Sequence, residues 1–361
     1  MIKHRKFGSI AHFRTAVDNV RHRECYVGRD EFEQPIYDES IKLPTLNFTG
    51  TVKSHGSNAS IVIDRNGNYW SQSREQILNI SNGLAGFYQY AEQNKEHFTK
   101  ELQKVLIKYI SRLTEVEYDN LDDEFFQIGI FGEWCGGNIQ KGVAINGLPK
   151  MFIVYEIYVF VSEDIKISMK EELNGFHKPE INVYDIATFG KYNIDIDFEN
   201  LAVAQETLTN LTLDVEKECP IGKYFGNIGV GEGIVWTGEH TVTSEQYGTN
   251  TIPLIFKVKG EKHSVVRTKE IVPIDIEKVN SVNQFIEYAV TENRLEQGYD
   301  VLRKSGVELS MKSTGLFIKW VMQDILKEES DTLIANNLSS KDINSSAARI
   351  AKDFWLNKLK F

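Results

Sequence analysis

Thr51-Val52-Lys53-Ser54-His55-Gly56-Ser57-Asn58 is the stretch on which the reading of this chain turns. It lies between two β-prone runs, Asn47 to Lys53 and Ala59 to Asp64, so Lys53 closes one strand and Gly56 permits a turn before the next. A lysine so placed stands at the mouth of a sheet. Alone, it reads best as a solvated surface charge.

Three further islands change that balance. Ile130-Phe131-Gly132-Glu133-Trp134 sets a carboxylate near the end of an apolar strand, and Gly231-Glu232-Gly233-Ile234-Val235 sets a second at the start of another. Phe256-Lys257-Val258-Lys259 alternates, so both lysines share one face of a strand. One amine, two carboxylates and two further cations at strand ends form a kit for nucleotidyl transfer by a lysine. The amine is inert at its ordinary pKa of about 10.4. Desolvation and neighbouring cations (Lys257, Lys259 and a metal ion) would free its lone pair. Carboxylates hold hard Mg²⁺, which offsets charge on the α-phosphate and on departing pyrophosphate. The paired lysines would stabilise the crowded phosphorus.

Outward from this stretch, Tyr69 to Ser73 continues the strand pattern, and Arg65-Asn66-Gly67-Asn68 before it predicts a hairpin turn. A helix is expected from Leu84 to Leu113, with Phe87, Ala91, Phe98, Leu102 and Val105 on its apolar face. Strands return at Phe126 to Trp134, Met151 to Val161, Gly233 to Thr237 and Pro253 to Lys259. Beyond Pro273 there is no proline, and apolar residues at i, i+3, i+4, i+7 (Val282, Phe285, Ile286, Ala289) begin a helical texture. It continues through Leu316 to Leu326 and Ala347 to Leu359. Near the start, Ser9 is expected to cap a helix carrying Ile10, Phe13 and Val17. The domains expected are residues 1–268, mixed α+β, and 269–361, all-helical.

Bulk properties narrow the function. The 361 residues carry 41 Lys and Arg against 51 Asp and Glu, a net charge of −10. That argues against a protein that coats nucleic acid without specificity, although one basic groove remains compatible with the balance. Cys25, Cys135 and Cys219 are far apart and show neither a disulfide framework nor a zinc spacing, which points to a reducing cytoplasm. No apolar run is long enough to span a membrane. There is no Gly-x4-Gly-Lys-Ser/Thr loop, and Gly226, Gly229, Gly231 and Gly233 do not make a dinucleotide fingerprint.

Taken in order, the islands resemble the motifs of the covalent nucleotidyltransferase superfamily of ligases and capping enzymes. Lys53-Ser54-His55-Gly56, followed by Asn58, is similar to the RNA ligase 2 family of phage nick-sealing ligases and kinetoplastid editing ligases. DNA ligases and capping enzymes usually carry Asp where His55 stands. Ser71-Gln72-Ser73-Arg74 resembles the strand whose arginine contacts the polynucleotide near the adenylate. Phe131-Gly132-Glu133 matches the motif whose glutamate contacts the ribose. Phe152 to Ile157 resembles the strand whose aromatic residue stacks on adenine, here Tyr155-Glu156 in place of the usual Phe-Asp. Glu232-Gly233-Ile234-Val235 matches the motif with a carboxylate near metal, and Lys257-Val258-Lys259 the motif whose lysines reach the phosphates.

The resemblance implies an α+β fold: an ATP-grasp-like adenylyltransferase domain of two antiparallel sheets with flanking helices, and a C-terminal all-helical domain. It implies Lys53 as nucleophile, with His55, Lys257 and Lys259 assisting. Arg74, Glu133, Tyr155, Glu232 and the two lysines would bind the nucleotide. Asn58 and Arg74 would meet nucleic acid, and Glu232 the metal. ATP and Mg²⁺ (or Mn²⁺) are the implied cofactors, and RNA with 3′-OH and 5′-phosphate ends is the implied partner of a monomeric, cytoplasmic enzyme. The alternatives are a DNA ligase or mRNA guanylyltransferase of the same superfamily, or a catalytically inactive protein that binds nucleic-acid ends.

Overall fold

A computed structural model of the chain describes residues 2–30, 35–119, 121, 126–139, 142–163, 165–244, 248–260, 282–335 and 338–359. In chain order the first half runs β1 (Ala11–His12), α1 (Phe13–Cys25), β2 (Tyr26–Arg29), β3 (Pro35–Tyr37), β4 (Thr45–Val52), β5 (Ser57–Asp64), β6 (Tyr69–Ser73), α2 (Phe87–Gln93), α3 (Lys95–Ile110), α4 (Glu115–Asp119), β7 (Gln127–Cys135) and β8 (Met151–Phe160). It continues through β9 (Lys166–Ser168), β10 (Val183–Asp185), β11 (Lys191–Asp197), α5 (Leu201–Lys217), α6 (Pro220–Tyr224), β12 (Gly233–Ser244) and β13 (Gly248–Lys259). The helices α7 (Val282–Ala289), α8 (Glu292–Lys304), α9 (Thr314–Glu328), α10 (Ser330–Ala335) and α11 (Ser340–Lys358) follow.

The chain divides into two compact units, Met1–Val258 and Lys259–Phe361. The boundary expected after Thr268 lies outside the described residues. In the first unit, one sheet has the order β1-β13-β12-β4-β11 and the other β10-β8-β7-β5-β6, with β9 beside β8. The sheets are antiparallel except at one edge each, where β1 runs parallel to β13 and β10 parallel to β8. β2 and β3 form a separate ribbon.

The stretch quoted at the outset is the crossing between the sheets. β4 belongs to the first sheet and β5 to the second, and Lys53, Ser54, His55 and Gly56 are all that joins them. Gly56 is required there. A Cβ at this position would lie 2.4 Å from the Trp134 carbonyl oxygen, and any larger residue would push β5 off β7.

Helices cover one face of each sheet, and the other face of the second sheet is buried too, at Phe131, Tyr158 and Phe160, with Phe7 packed on them. Phe48, Val52, Ile234, Trp236, Leu254 and Phe256 of the first pack with Phe13 and Val20 of α1 and Ala204 and Leu208 of α5. Ala59, Ile61, Ile128, Ile130 and Val154 of the second pack with Phe87 of α2 and Phe98 and Leu102 of α3. Because strand side chains alternate, Lys53, Lys257 and Lys259 project from the face opposite Val52, Phe256 and Val258.

Two helix expectations need correction. Ser9 does not cap α1. Ala11 and His12 are drawn into β1 by pairing with Phe256 and Lys257, so the helix begins only at Phe13, with His12 at its N-cap. The helix expected from Leu84 starts at Phe87 and is divided at Asn94. Leu84, Ala85 and Gly86 take left-handed φ values of 44°, 52° and 90°, a turn no α-helix contains. The Ala85 carbonyl in that turn accepts hydrogen bonds from Trp134 Nε1 at 3.3 Å and Lys150 Nζ at 2.6 Å, which hold it open.

The second unit packs Phe285, Leu295, Leu302, Phe317, Val321, Ile325, Ala347 and Trp355 into its own core. Arg294, fully buried, donates to Asp324 and to Glu329 at 2.9 Å each. Among the described residues, no helix is long and apolar enough to cross a membrane.

Candidate active site

The site forms where the crossing between the sheets meets the start of β12. The Lys53 amide donates to the Gly233 carbonyl at 2.8 Å, which continues the β4–β12 ladder one residue past the strand. That bond brings Glu232 beside the lysine. Glu232 Oε2 lies 2.8 Å from Lys53 Nζ and 2.8 Å from His55 Nδ1, and the carboxylate is only 3% exposed. One buried oxygen is therefore shared by Lys53 and His55. A carboxylate removed from water in this way needs such partners.

Glu133 and Asn58 face each other across β5 and β7. Burial pushes the Glu133 carboxyl up to about 7; Lys53 opposes this, Glu232 adds to it, and the Gly56 amide and Arg74 oppose it further. These influences draw Lys53, Glu133, Glu232 and Arg74 into one electrostatic neighbourhood. Arg74, just past β6, donates from Nη2 to Ser9 Oγ at 2.8 Å.

Tyr155 enters by a β-bulge. Phe131 pairs with Glu156 and Gly132 with Val154, so Tyr155 is the extra residue on β8. A bulge re-aims a side chain, and here the phenol reaches Asn58, whose Nδ2 donates to its oxygen. Burial raises the Tyr155 pKa well above its usual value, and the phenol stays neutral. Glu156 takes no part. Ser168 Oγ donates to its Oε1 at 2.7 Å, and the Ile157 amide donates to the same oxygen at 3.0 Å.

Lys257 and Lys259 occupy the C-terminal end of β13, next to β12 in the sheet. With only residues 245–247 between β12 and β13, the two strands form a hairpin and run antiparallel. That places the end of β13 beside the start of β12, where Glu232 sits. The sequence reading thus finds Lys53, His55, Glu232, Glu133, Asn58, Tyr155 and Arg74 as neighbours, with Lys257 and Lys259 one strand away. It missed Ser9 and Phe7. Phe7 packs on Tyr155 with ring centroids 5.2 Å apart, and no spacing rule links residues so distant in sequence.

Among the described residues, no three His, Cys, Asp or Glu side chains cluster as a metal cage. The carboxylate of Glu232 still fits Mg²⁺ or Mn²⁺ of the kind held by one or two carboxylates, waters and substrate phosphates.

This two-sheet domain, with its lysine-bearing crossing, has the RNA ligase fold. The RNA ligase family model matches residues 46–259, more than half of the chain, and the chain belongs to that family. No curated protein sequence matches it. Among solved structures it is similar to a Naegleria gruberi RNA ligase with pyrophosphate, at 12% identity and a TM-score of 0.39, covering 70% of this chain and 55% of that one. A lysine-to-alanine variant of that ligase with ATP and manganese gives 12% identity and a TM-score of 0.40, covering 70% and 56%. An aspartate-to-alanine variant without ligand gives 14% and 0.38, covering 70% and 55%. The chain thus spans little more than half the length of these ligases.

Proposed function

We propose that this protein is an ATP-dependent RNA ligase that joins 3′-OH and 5′-phosphate ends through an AMP bound covalently to Lys53. The observation that carries this reading is the meeting of Lys53 and His55 on the buried carboxylate of Glu232, within the stretch matched by the RNA ligase family. An amine needs a free lone pair to attack. In the resting site Lys53 is engaged with Glu232, so the amine becomes available when that carboxylate finds another positive partner.

Three steps follow. Lys53 Nζ, its ammonium proton passed to water, attacks the α-phosphorus of ATP; a P–N bond forms, the nitrogen sheds a second proton to water, the bond to the β-phosphate oxygen breaks, and pyrophosphate leaves. A 5′-phosphate oxygen of RNA then attacks the same phosphorus, and the P–N bond breaks to regenerate Lys53. A 3′-hydroxyl finally attacks the activated 5′-phosphate, loses its proton and expels AMP. Glu232 would hold a divalent cation, which supplies charge neutralisation at the phosphates, and Glu133 would contact the ribose. Tyr155 would stack on adenine, with Arg74 and Asn58 toward the polynucleotide and Lys257 and Lys259 toward the phosphates.

On this reading residues 1–268 are the adenylyltransferase domain and 269–361 a helical domain that helps hold RNA. We place the enzyme in the cytoplasm as a monomer, a setting supported by three buried free thiols at Cys25, Cys135 and Cys219.

The test is incubation with α-labelled ATP and Mg²⁺. The wild type takes up label as one AMP, and Lys53→Ala and Lys53→Arg take up none, since guanidinium stays protonated to about pH 12. Label from GTP instead would indicate a capping enzyme, and no label at all would indicate a binder of ends. Faster sealing of DNA than of RNA nicks would indicate a DNA ligase.

A further inference from the structure

The face of the second sheet that carries Asn58, Glu133 and Tyr155 is crossed by residues 3–9. This segment is fastened by buried polar groups rather than by strand pairing. Arg5 N donates to Gln72 Oε1 at 3.0 Å, and Gln72 Nε2 returns a hydrogen bond to the Arg5 carbonyl. Arg5 Nε donates to Gln127 Oε1 at 2.7 Å, and its guanidinium lies 4.7 Å from the centre of the Phe160 ring. Arg5, Gln72 and Gln127 are at most 4% exposed. Buried donors and acceptors paired in this way favour one register, because a shift by one residue would break these bonds.

That register delivers two side chains to the site. Phe7 lands on Phe131 at 5.7 Å and edge-on to Tyr155 at 5.2 Å between centroids. Two residues on, Ser9 Oγ accepts the hydrogen bond from Arg74. Tyr155 sits on a bulge, where the ladder restrains it least, and Asn58 holds only the tip of its ring. Phe7 supplies the flank that the bulge leaves open.

We propose that residues 3–9 form a strap that positions Tyr155 and Arg74 for nucleotide binding, with Phe7 and Ser9 as its positioning residues. The proposal rests on the ATP reading above. An aromatic pair of this kind is worth a factor of about 2 to 12 in an equilibrium. Phe7→Ala should therefore weaken binding of α,β-methylene-ATP with Mg²⁺, measured by calorimetry on the full chain, by about 2- to 12-fold. KM for ATP in Lys53 labelling should rise by the same factor, while the rate at saturating ATP stays within about twofold. Phe7→Tyr, which keeps the ring, should restore both. Ser9→Ala should raise KM alone, by less.

An unchanged affinity in Phe7→Ala overturns the strap. So does an equal fall in affinity and saturating rate that Phe7→Tyr fails to rescue, because that pattern reports general loosening. If Phe7→Ala does not fold, Phe7→Leu keeps most of the volume, removes the ring and carries the same expectation. A wild type that fails to bind the analogue removes the ATP reading, and the strap's purpose with it. Binding that is present but indifferent to Phe7 removes the strap alone.

Discussion

Lys53 Nζ and Glu232 Oε2 stand 2.8 Å apart although 179 residues separate them along the chain. The amine that would attack ATP is therefore held by a carboxylate until something else claims that carboxylate. Glu232→Gln keeps the shape and removes the charge. It should lower Lys53 labelling on the order of 100-fold or more, because a neutral amide holds poorly the cation that stabilises charge at the reacting phosphate. Chelation of divalent cations should stop labelling of the wild type, and Mg²⁺ or Mn²⁺ should restore it. Labelling of Glu232→Gln within twofold of wild type would show that the charge is dispensable.

Glu133 gives the site a pH signature in stability. Its carboxyl is raised from 4.5 to about 7, chiefly by burial. Below pH 4.5 the acid is neutral in both folded and unfolded chains, and its burial is tolerated. Between 4.5 and about 7 the folded chain binds the proton more tightly, so stability falls as pH rises and the penalty is complete above that range. Glu133→Gln mimics the neutral acid. Its Tm relative to wild type should rise from pH 5 to pH 8 by roughly 5–10 °C, the size of a change of about 2.5 kcal/mol in a domain this long. A difference that does not vary with pH would mean that Glu133 titrates normally.

Gly56 tests the crossing itself. Gly56→Ala would set a methyl 2.4 Å from the Trp134 carbonyl and 2.8 Å from Cys135 Cβ. Overpacking of this kind costs about 1–3 kcal/mol. The strain falls between Lys53 and β5, so labelling should drop along with the midpoint in urea. Full labelling with a lowered midpoint would show that the crossing bends without disturbing Lys53.

In the helical unit, Arg294 is the point to probe. Arg294→Met leaves Asp324 and Glu329 without their cation, a loss of about 3–5 kcal/mol for a buried pair. Replacing all three with apolar residues should recover most of that stability, since well-packed apolar groups often match a buried ion pair. Chemical denaturation of the full chain reads both outcomes. A single variant as stable as wild type would show that the buried charges are not coupled.

Much of this was legible in the order of residues. β6 spans Tyr69–Ser73 as its alternation predicts, and β8, α7 and α9 fall close to their expected places. The seven neighbours of the candidate site were nameable by two routes: Lys53, Glu133 and Glu232 from their places at or near strand ends, and His55, Asn58, Arg74 and Tyr155 from the resemblance to the ligase motifs. β11 went unanticipated although Tyr192, Ile194 and Ile196 alternate plainly, and so did α5 with Ala204 and Leu208 at helical spacing. What no pattern carries is pairing between distant segments. The bulge that turns Tyr155, the strap on Gln72 and the pull of β13 on Ala11 are set by tertiary contacts, which override local preference. Ser9 is the example: a good N-cap in sequence, it serves Arg74 instead.

The shared oxygen of Glu232 also has a consequence during synthesis. At about 5–20 residues per second, the ribosome adds Glu232 roughly 9–36 s after Lys53. For that interval the nascent chain carries the lysine without its carboxylate, and β12, whose Gly233 extends the ladder past β4, does not yet exist. A chain stalled or truncated before residue 232 would display a lysine motif and no reaction chamber. Lys53 thus lacks its carboxylate partner until nearly the whole first unit has been made.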